Sequence, residues 1–312
     1  MMTIKVACVH DSSAYLPELH AYSEYFQKSS SVRFEVVSHS YGEVFSPERY
    51  DLIYRFMGFY PFWSYIGVPE IHEYHSLSVP PFAQPKDTIK RYLNRKPVGR
   101  VFLNGQVESV LGFSDQVPSV QRDMGVHQRF FDAVAAGSAK EFDIVYCGTV
   151  AGRQGLLEVL KECLEADLSV LIVGRIDDSD WLDRLGSLKR ALTVTGAVPY
   201  DDVPGWISKA RYGLNFIPDV YPFNVQTSTK VLEYCAAGLG VVTNDYEWIR
   251  NFETCHHASF YKMESGLADL KTMDPRGFSA SVDSLEWSSL LERCGLEEFL
   301  VACASVSERR NP

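Results

Sequence analysis

At 312 residues the chain is long enough for two medium-sized α/β domains, and 46% hydrophobic with 13% aromatic residues is ample for packed cores. A net charge of -10 argues against nucleic acid as a partner, because that function needs a basic stripe. Seven cysteines, odd in number and scattered without a Cys-x-x-Cys pair, predict buried free thiols in a reducing compartment and no zinc site. No signal peptide precedes Ile4, and no apolar run approaches the ~18 residues needed to span a bilayer, so a cytoplasmic location is expected.

The first half alternates short apolar runs with polar helical stretches. Residues 4–9 read as a buried strand, 14–27 as a helix, and 33–38, 51–56, 70–74 and 101–104 as further strands. Strands separated by helices predict a parallel sheet, whose ligands sit at the carboxyl ends of the strands. The candidates there are His10, Asp11, Arg55, His75 and Ser76. A histidine at a strand end is more often structural, so His75, with His72 in reserve, is weighed against that reading.

Two features of this half concern a second ligand. Residues 54–68 hold seven aromatic side chains among fifteen, interrupted by Gly58, Pro61 and Gly67. Residues 86–100 then carry Lys86, Lys90, Arg91, Arg95, Lys96 and Arg100. The plain reading is core or cleft wall beside a solvated basic helix. The alternative is peripheral contact with an anionic membrane surface, or a bound ligand that is itself anionic. Small and polar residues over 133–140 predict a linker, with domains at 1–138 and 139–312.

In the second half, residues 142–155 read as a strand, a glycine turn holding Gly148, Thr149 and Arg153, and a helix from Leu156. A strand over 168–174 ends at Gly174, a mixed helix spans 177–188, and a strand over 192–198 runs into a turn with Val198 and Tyr200. A helix over 203–210 and a strand over 212–217 lead to the most informative stretch, 216–245. There a turn-rich loop ending at Gln226 precedes a helix capped by Thr227, Ser228 or Thr229 and stopped by Gly238. The helix start is an anion site in type, with Lys230 adding charge and Glu233 offering a carboxylate, a set suited to a phosphate with a sugar hydroxyl nearby. Such helices also occur throughout doubly wound proteins without any site. Helices over 285–293 and 296–307 close the chain.

Residues 216–245, with 142–155, 168–174 and 123–131 in the same order, resemble the nucleotide-sugar glycosyltransferases of the GT-B fold, above all retaining family 4. The resemblance implies two Rossmann-like doubly wound domains facing a central cleft, the acceptor on the first domain, the donor on the second, and a last helix that crosses back. It implies that Glu233 holds the nucleotide ribose and that Lys230 and Arg153 hold the diphosphate. Backbone N–H groups from Gln226 through Thr227 and Ser228 to Thr229 would hold phosphate and sugar, with Gly148, Thr149 and Gly174 lining the donor site and Val198 and Tyr200 the base pocket. His75 would orient the donor sugar, whereas in an inverting enzyme Glu73 or Asp11 would serve as base. Two fixed cations would replace metal, so no metal or other cofactor is expected. Departures are Val225, where the family often has a second Glu eight positions before Glu233, and Thr149 and Gln154 at the family's basic positions.

The activity so implied is sugar transfer from a nucleotide-sugar donor to a hydroxyl of a glycan or lipid-linked acceptor, with retention, in surface polysaccharide, lipopolysaccharide or glycolipid synthesis. An inverting transferase, a sugar-nucleotide epimerase and a non-catalytic nucleotide or glycan binder are the rival readings.

Overall fold

A computed structural model describes residues 3–10, 16–38, 46–61, 67–79, 81–135, 137, 139–150, 155–176 and 178–308. The chain divides into two compact units, one of Met1–Gly125 with Trp287–Pro312 and one of Val126–Glu286.

The first unit begins with β1 (Ile4–His10), α1 (Pro17–Phe26), β2 (Val32–Ser38), β3 (Leu52–Phe56) and β4 (Glu70–Tyr74). It continues through α2 (Ala83–Leu93), β5 (Gly99–Phe102), α3 (Gly105–Leu111) and β6 (Ser119–Gln121). All neighbours pair in parallel, in the order β2-β1-β3-β4-β5-β6. Every residue of β3 and β4 is buried, as expected for strands covered on both faces. The six-stranded order reverses direction at β1, where the chain goes first to one side and then to the other.

The second unit repeats this plan. Its elements are α4 (Gln128–Ala135), β7 (Phe142–Cys147), α5 (Leu156–Glu165), β8 (Val170–Val173), α6 (Ser179–Arg184) and β9 (Leu192–Val194). They are followed by α7 (Val203–Ile207), β10 (Ala210–Asn215), α8 (Thr229–Ala236), β11 (Gly240–Thr243), α9 (Glu247–His256) and β12 (Tyr261–Lys262). The sheet runs β12-β11-β10-β7-β8-β9, again parallel. Val170, Leu171, Ile172 and Val173 of β8 are all buried, which is why this short run forms a central strand.

The tail adds α10 (Trp287–Arg293) and α11 (Leu296–Glu308), which belong to the first unit. A side chain on Gly125 would meet the Trp287 ring at 2.4 Å, and one on Gly99 would meet Phe299 at 2.6 Å, so glycine is what lets these helices close on the unit. Trp287, Leu290, Leu291, Leu296 and Leu300 are buried there.

The division differs from the expected boundary near 138. Residues 128–135 form a helix of the second unit with Phe130 wholly buried, so the boundary falls before that helix and not after it. The expected strand over 192–198 is three residues long, because β9 is a half-open edge that ends at Val194. The expected helix over 177–188 is split into α6 and a 3-10 segment, Gly186–Ala191, at Gly186 with φ 52°. The described cysteines are all free thiols, with Cys8, Cys163, Cys235 and Cys303 buried. No helix among the described residues is long and apolar enough to cross a membrane.

Candidate donor-binding site

The second unit's site is built where β7, β8 and β10 end. After β7 the chain turns at Gly148, φ 126°, whose N–H donates to the Val173 carbonyl at 2.9 Å. Gly174 follows β8 so closely that a Cβ there would stand 2.2 Å from the Gly148 oxygen. Two strand exits therefore meet backbone to backbone, which only a glycine at 174 allows. The carbonyl of Thr149 accepts from the Tyr146 hydroxyl at 3.3 Å. Arg153 lies outside the described residues, as does Gln154.

Above this turn stands α8. Its start is tied down by Ser228, whose Oγ donates to Asn215 Oδ1 at 2.8 Å instead of capping the helix as expected. Asn215 in turn donates to Thr243 Oγ1 at 2.9 Å and to the Tyr246 hydroxyl at 3.0 Å. The start of α8 is thus anchored to β10 and β11, and Ser228 at its N-cap makes no side-chain capping bond. In the loop that leads in, Gln226 Nε2 is buried without a hydrogen-bond partner among the described residues. Thr227 and Thr229 flank Ser228 in half-buried positions.

The Lys230 stem passes over Gly148, where a methyl group would stand 3.2 Å from Cε and 3.7 Å from Nζ. Its ammonium also lies 5.7 Å from the centroid of Tyr146. One turn on, Glu233 Oε1 accepts from the Tyr200 hydroxyl at 2.8 Å. Burial pushes the Glu233 carboxyl up to about 7, against the opposing pull of the Tyr200 hydrogen bond and the Lys230 charge. Part of its surface nevertheless remains open. Tyr200 rests on Phe130 and His127, with ring centroids 5.6 and 6.4 Å away. The expected backbone and apolar role for Tyr200 is therefore joined by a hydroxyl role toward Glu233. Val198 lies two residues earlier in the turn, half-buried.

Tyr234, which the sequence reading did not single out, holds the whole arrangement. Its ring lies on Gly213, where a Cβ would be 2.2 Å away, and its hydroxyl accepts from the Cys147 N–H at 2.9 Å and donates to the Leu214 carbonyl at 3.3 Å. One side chain of α8 thereby fixes the exits of β7 and β10. An aromatic residue beside Glu233 opposite a glycine in the preceding strand was the available signal.

Among the sequence candidates, the structure brings together Gly148, Gly174, Lys230, Glu233 and Tyr200 in this unit. In the first unit His75 follows β4, half-buried, its ring 5.5 Å from Phe56 and its Nδ1 buried without a hydrogen-bond partner among the described residues. Glu73 is a correction. It is 0% exposed, paired with Arg122, and accepts from the hydroxyls of Tyr54 at 2.5 Å and Tyr22 at 3.0 Å. A carboxylate so enclosed, and held by three donors, lacks the access of a general base to a substrate. His72 is likewise a core residue, its Nε2 3.3 Å from Glu70, and burial lowers its pKa. Arg55 is buried against Glu70 at 2.9 Å, with Arg95 on the same carboxylate. Asp11 lies outside the described residues.

No known family profile matches the chain, and no curated protein matches it. Solved structures match it along nearly all its length. AviGT4, a glycosyltransferase involved in avilamycin A biosynthesis, is 16% identical, with 97% of each chain covered and a TM-score of 0.61. HepE from Anabaena, solved in complex with UDP-glucose, is 12% identical, with 96% of this chain and 100% of that one covered and a TM-score of 0.68. The chain has the GT-B fold. A UDP-GlcNAc 2-epimerase from Methanocaldococcus jannaschii matches this GT-B chain as well, at 9% identity, 95% and 100% coverage and a TM-score of 0.57. GT-B architecture is therefore shared by chains with different reactions, and the reaction must be argued from residues.

Proposed function

We propose that the protein is a glycosyltransferase that moves a sugar from a nucleotide-sugar donor to a hydroxyl of a glycan or lipid-linked acceptor. The observation that carries the reading is Lys230 laid over Gly148 with Glu233 one turn on, held by Tyr200 and half open. A diphosphate fits the uncapped start of α8 beside the Lys230 ammonium, and a ribose diol fits the free acceptor capacity of Glu233. The likeness to HepE with UDP-glucose bound supports a nucleotide sugar as the donor.

Lys230 and the α8 N–H groups supply fixed positive charge where the leaving diphosphate gains negative charge, so the reaction proceeds without a metal or other cofactor. Transfer is with retention, the departing phosphate oxygen taking the acceptor proton. Of the two carboxylates that an inverting route would draw on, Glu73 is locked in the core, which favours the retaining route. His75 and the first unit take the sugar and the acceptor, and the biological setting is surface polysaccharide or glycolipid synthesis at the cytoplasmic side of a membrane.

The test is a thermal-shift series with nucleotides and nucleotide sugars, in chelator and in magnesium. One nucleotide is expected to raise Tm equally in both, by the linkage of binding to the native state. Lys230→Ala is expected to lower kcat/KM by about a hundredfold or more. Donor-dependent transfer with wild-type kinetics in Lys230→Ala would sink the site assignment, and an epimerised donor formed without acceptor would replace transfer by epimerisation.

A further inference from the structure

In the first unit α2 is built inside out. Among its eleven residues, the buried one is Asp87, which accepts from the Ser78 N–H at 3.1 Å. At about 100° per residue, Pro85, Ile89, Tyr92 and Leu93 fall on the face turned away from Asp87. An ordinary surface helix buries such a stripe; here it faces water. Tyr92 is 68% exposed, Ile89 47% and Leu93 38%, and Phe82, just ahead of the helix, is 75% exposed. Phe82 sits at φ 64°, a left-handed backbone that bulky residues rarely adopt.

The clustering is not a general property of this surface. Six of the twelve large apolar side chains exposed among the described residues lie between 59 and 93, the other two being Phe59 and Val79. A cavity of about 470 Å³ opens beside the stripe, walled by Phe59, Ser76, Val79, Lys86, Ile89 and Lys90. It lies past the carboxyl ends of β3 and β4, the ligand-binding edge of a parallel sheet. Lys86 stands at the Val79 rim, donating to its carbonyl at 3.1 Å. Lys86 is exposed on one flank of the helix, with Lys90 on the same flank 3.9 Å from Asp87 and Arg91 and Lys96 nearby, in a chain whose net charge is -10.

From this inversion and its cationic border we infer that α2 with Phe82 is a docking face for an anionic lipid bilayer. The apolar stripe enters the acyl boundary while the exposed Lys86 meets headgroup phosphates, and the cavity at its edge receives the polar part of a lipid-linked acceptor. The bilayer is favoured over a protein partner because the exposed Lys86 borders the stripe, with Lys96 nearby, in an acidic chain, which matches a surface of uniform negative charge. The acceptor part rests on the proposed transferase reading; the docking face itself does not.

Flotation of the full chain with phosphatidylglycerol vesicles and, separately, phosphatidylcholine vesicles tests it. Binding to the anionic vesicles alone is expected, weakened by about 0.5 M salt. The Ile89→Glu/Tyr92→Glu double variant should lose at least tenfold in partitioning, and Lys86→Glu should weaken binding to the anionic vesicles. Ile89, Tyr92 and Lys86 are exposed, so an unchanged Tm and far-ultraviolet spectrum accompany the loss. Lys230→Ala should float like the wild type, which separates failure of the donor reading from failure of the docking face. Undiminished flotation of the Ile89/Tyr92 variant overturns the inference. So does a dimer in sedimentation velocity that this variant dissociates while the wild type ignores vesicles, since the stripe then belongs to a second copy of the chain.

Discussion

Glu73 in the first unit and Glu233 in the second are both glutamates that face polar partners, and they do opposite work. Glu73 is met by a guanidinium and two phenol hydroxyls, with Glu18 3.6 Å from the same Arg122 and Trp287 over it at 5.2 Å. Glu233 has one phenol, a lysine one turn before it, and open surface. A buried carboxylate met by three donors holds a fold together; one left short of partners is a place for a ligand.

The comparison breaks most visibly at Arg122. Arg122→Ala leaves Glu73 buried and unpaired, and should cost about 3–5 kcal/mol in urea unfolding, while nucleotide affinity measured well below the transition stays unchanged. Removing both charges in Arg122→Met/Glu73→Gln should recover part of that loss. A cost under about 1 kcal/mol for Arg122→Ala would mean that the cluster is solvated and the contrast false.

Glu233 sharpens the other side. Its folded value, about 7, lies above the ordinary 4.5, so it is the ionised form that folding disfavours. The unliganded protein therefore loses stability from this group as pH rises from 4.5 to about 7, and loses no more above that. Ribose hydroxyls donate to the carboxylate, so donor Kd should rise about tenfold per pH unit below 7. Glu233→Gln should flatten this profile, weaken donor binding about tenfold at pH 8, and raise the Tm of the unliganded protein there. Parallel pH profiles for the two proteins in calorimetric titration would show that Glu233 does not touch the donor.

The smallest effect belongs to Tyr200→Phe. Loss of its hydroxyl removes a hydrogen bond that lowers the Glu233 value, so the midpoint of the donor pH profile should move upward. Affinity at neutral pH should fall about threefold. A midpoint unmoved in Tyr200→Phe would separate the phenol from the titration.

Much of this could be read from residue order. The strands that hold residues 6–9 and 170–173 are legible because those apolar runs are continuous, and Lys230, Glu233 and Gly238 are legible because a helix start and stop have local signals. What was hidden depends on partners far along the chain. Glu73 read as a strand-end base because nothing local announces Arg122, forty-nine residues away. Ser228 stood with Thr227 and Thr229 as a cap candidate because Asn215 cannot be seen to compete for its hydroxyl. α2 read most simply as a solvated basic helix because its lysines are conspicuous, while the inversion shows only once Asp87 is known to be the buried residue.

The packing of Trp287 onto Arg122 and Gly125 has a consequence for how the molecule is made. The second unit is one unbroken segment, Val126–Glu286, whereas the first needs residues from both ends of the chain. On the ribosome the later unit can close first, and the earlier one must wait with Arg122 unscreened until translation has passed residue 287. The part synthesised first is therefore the last to be finished.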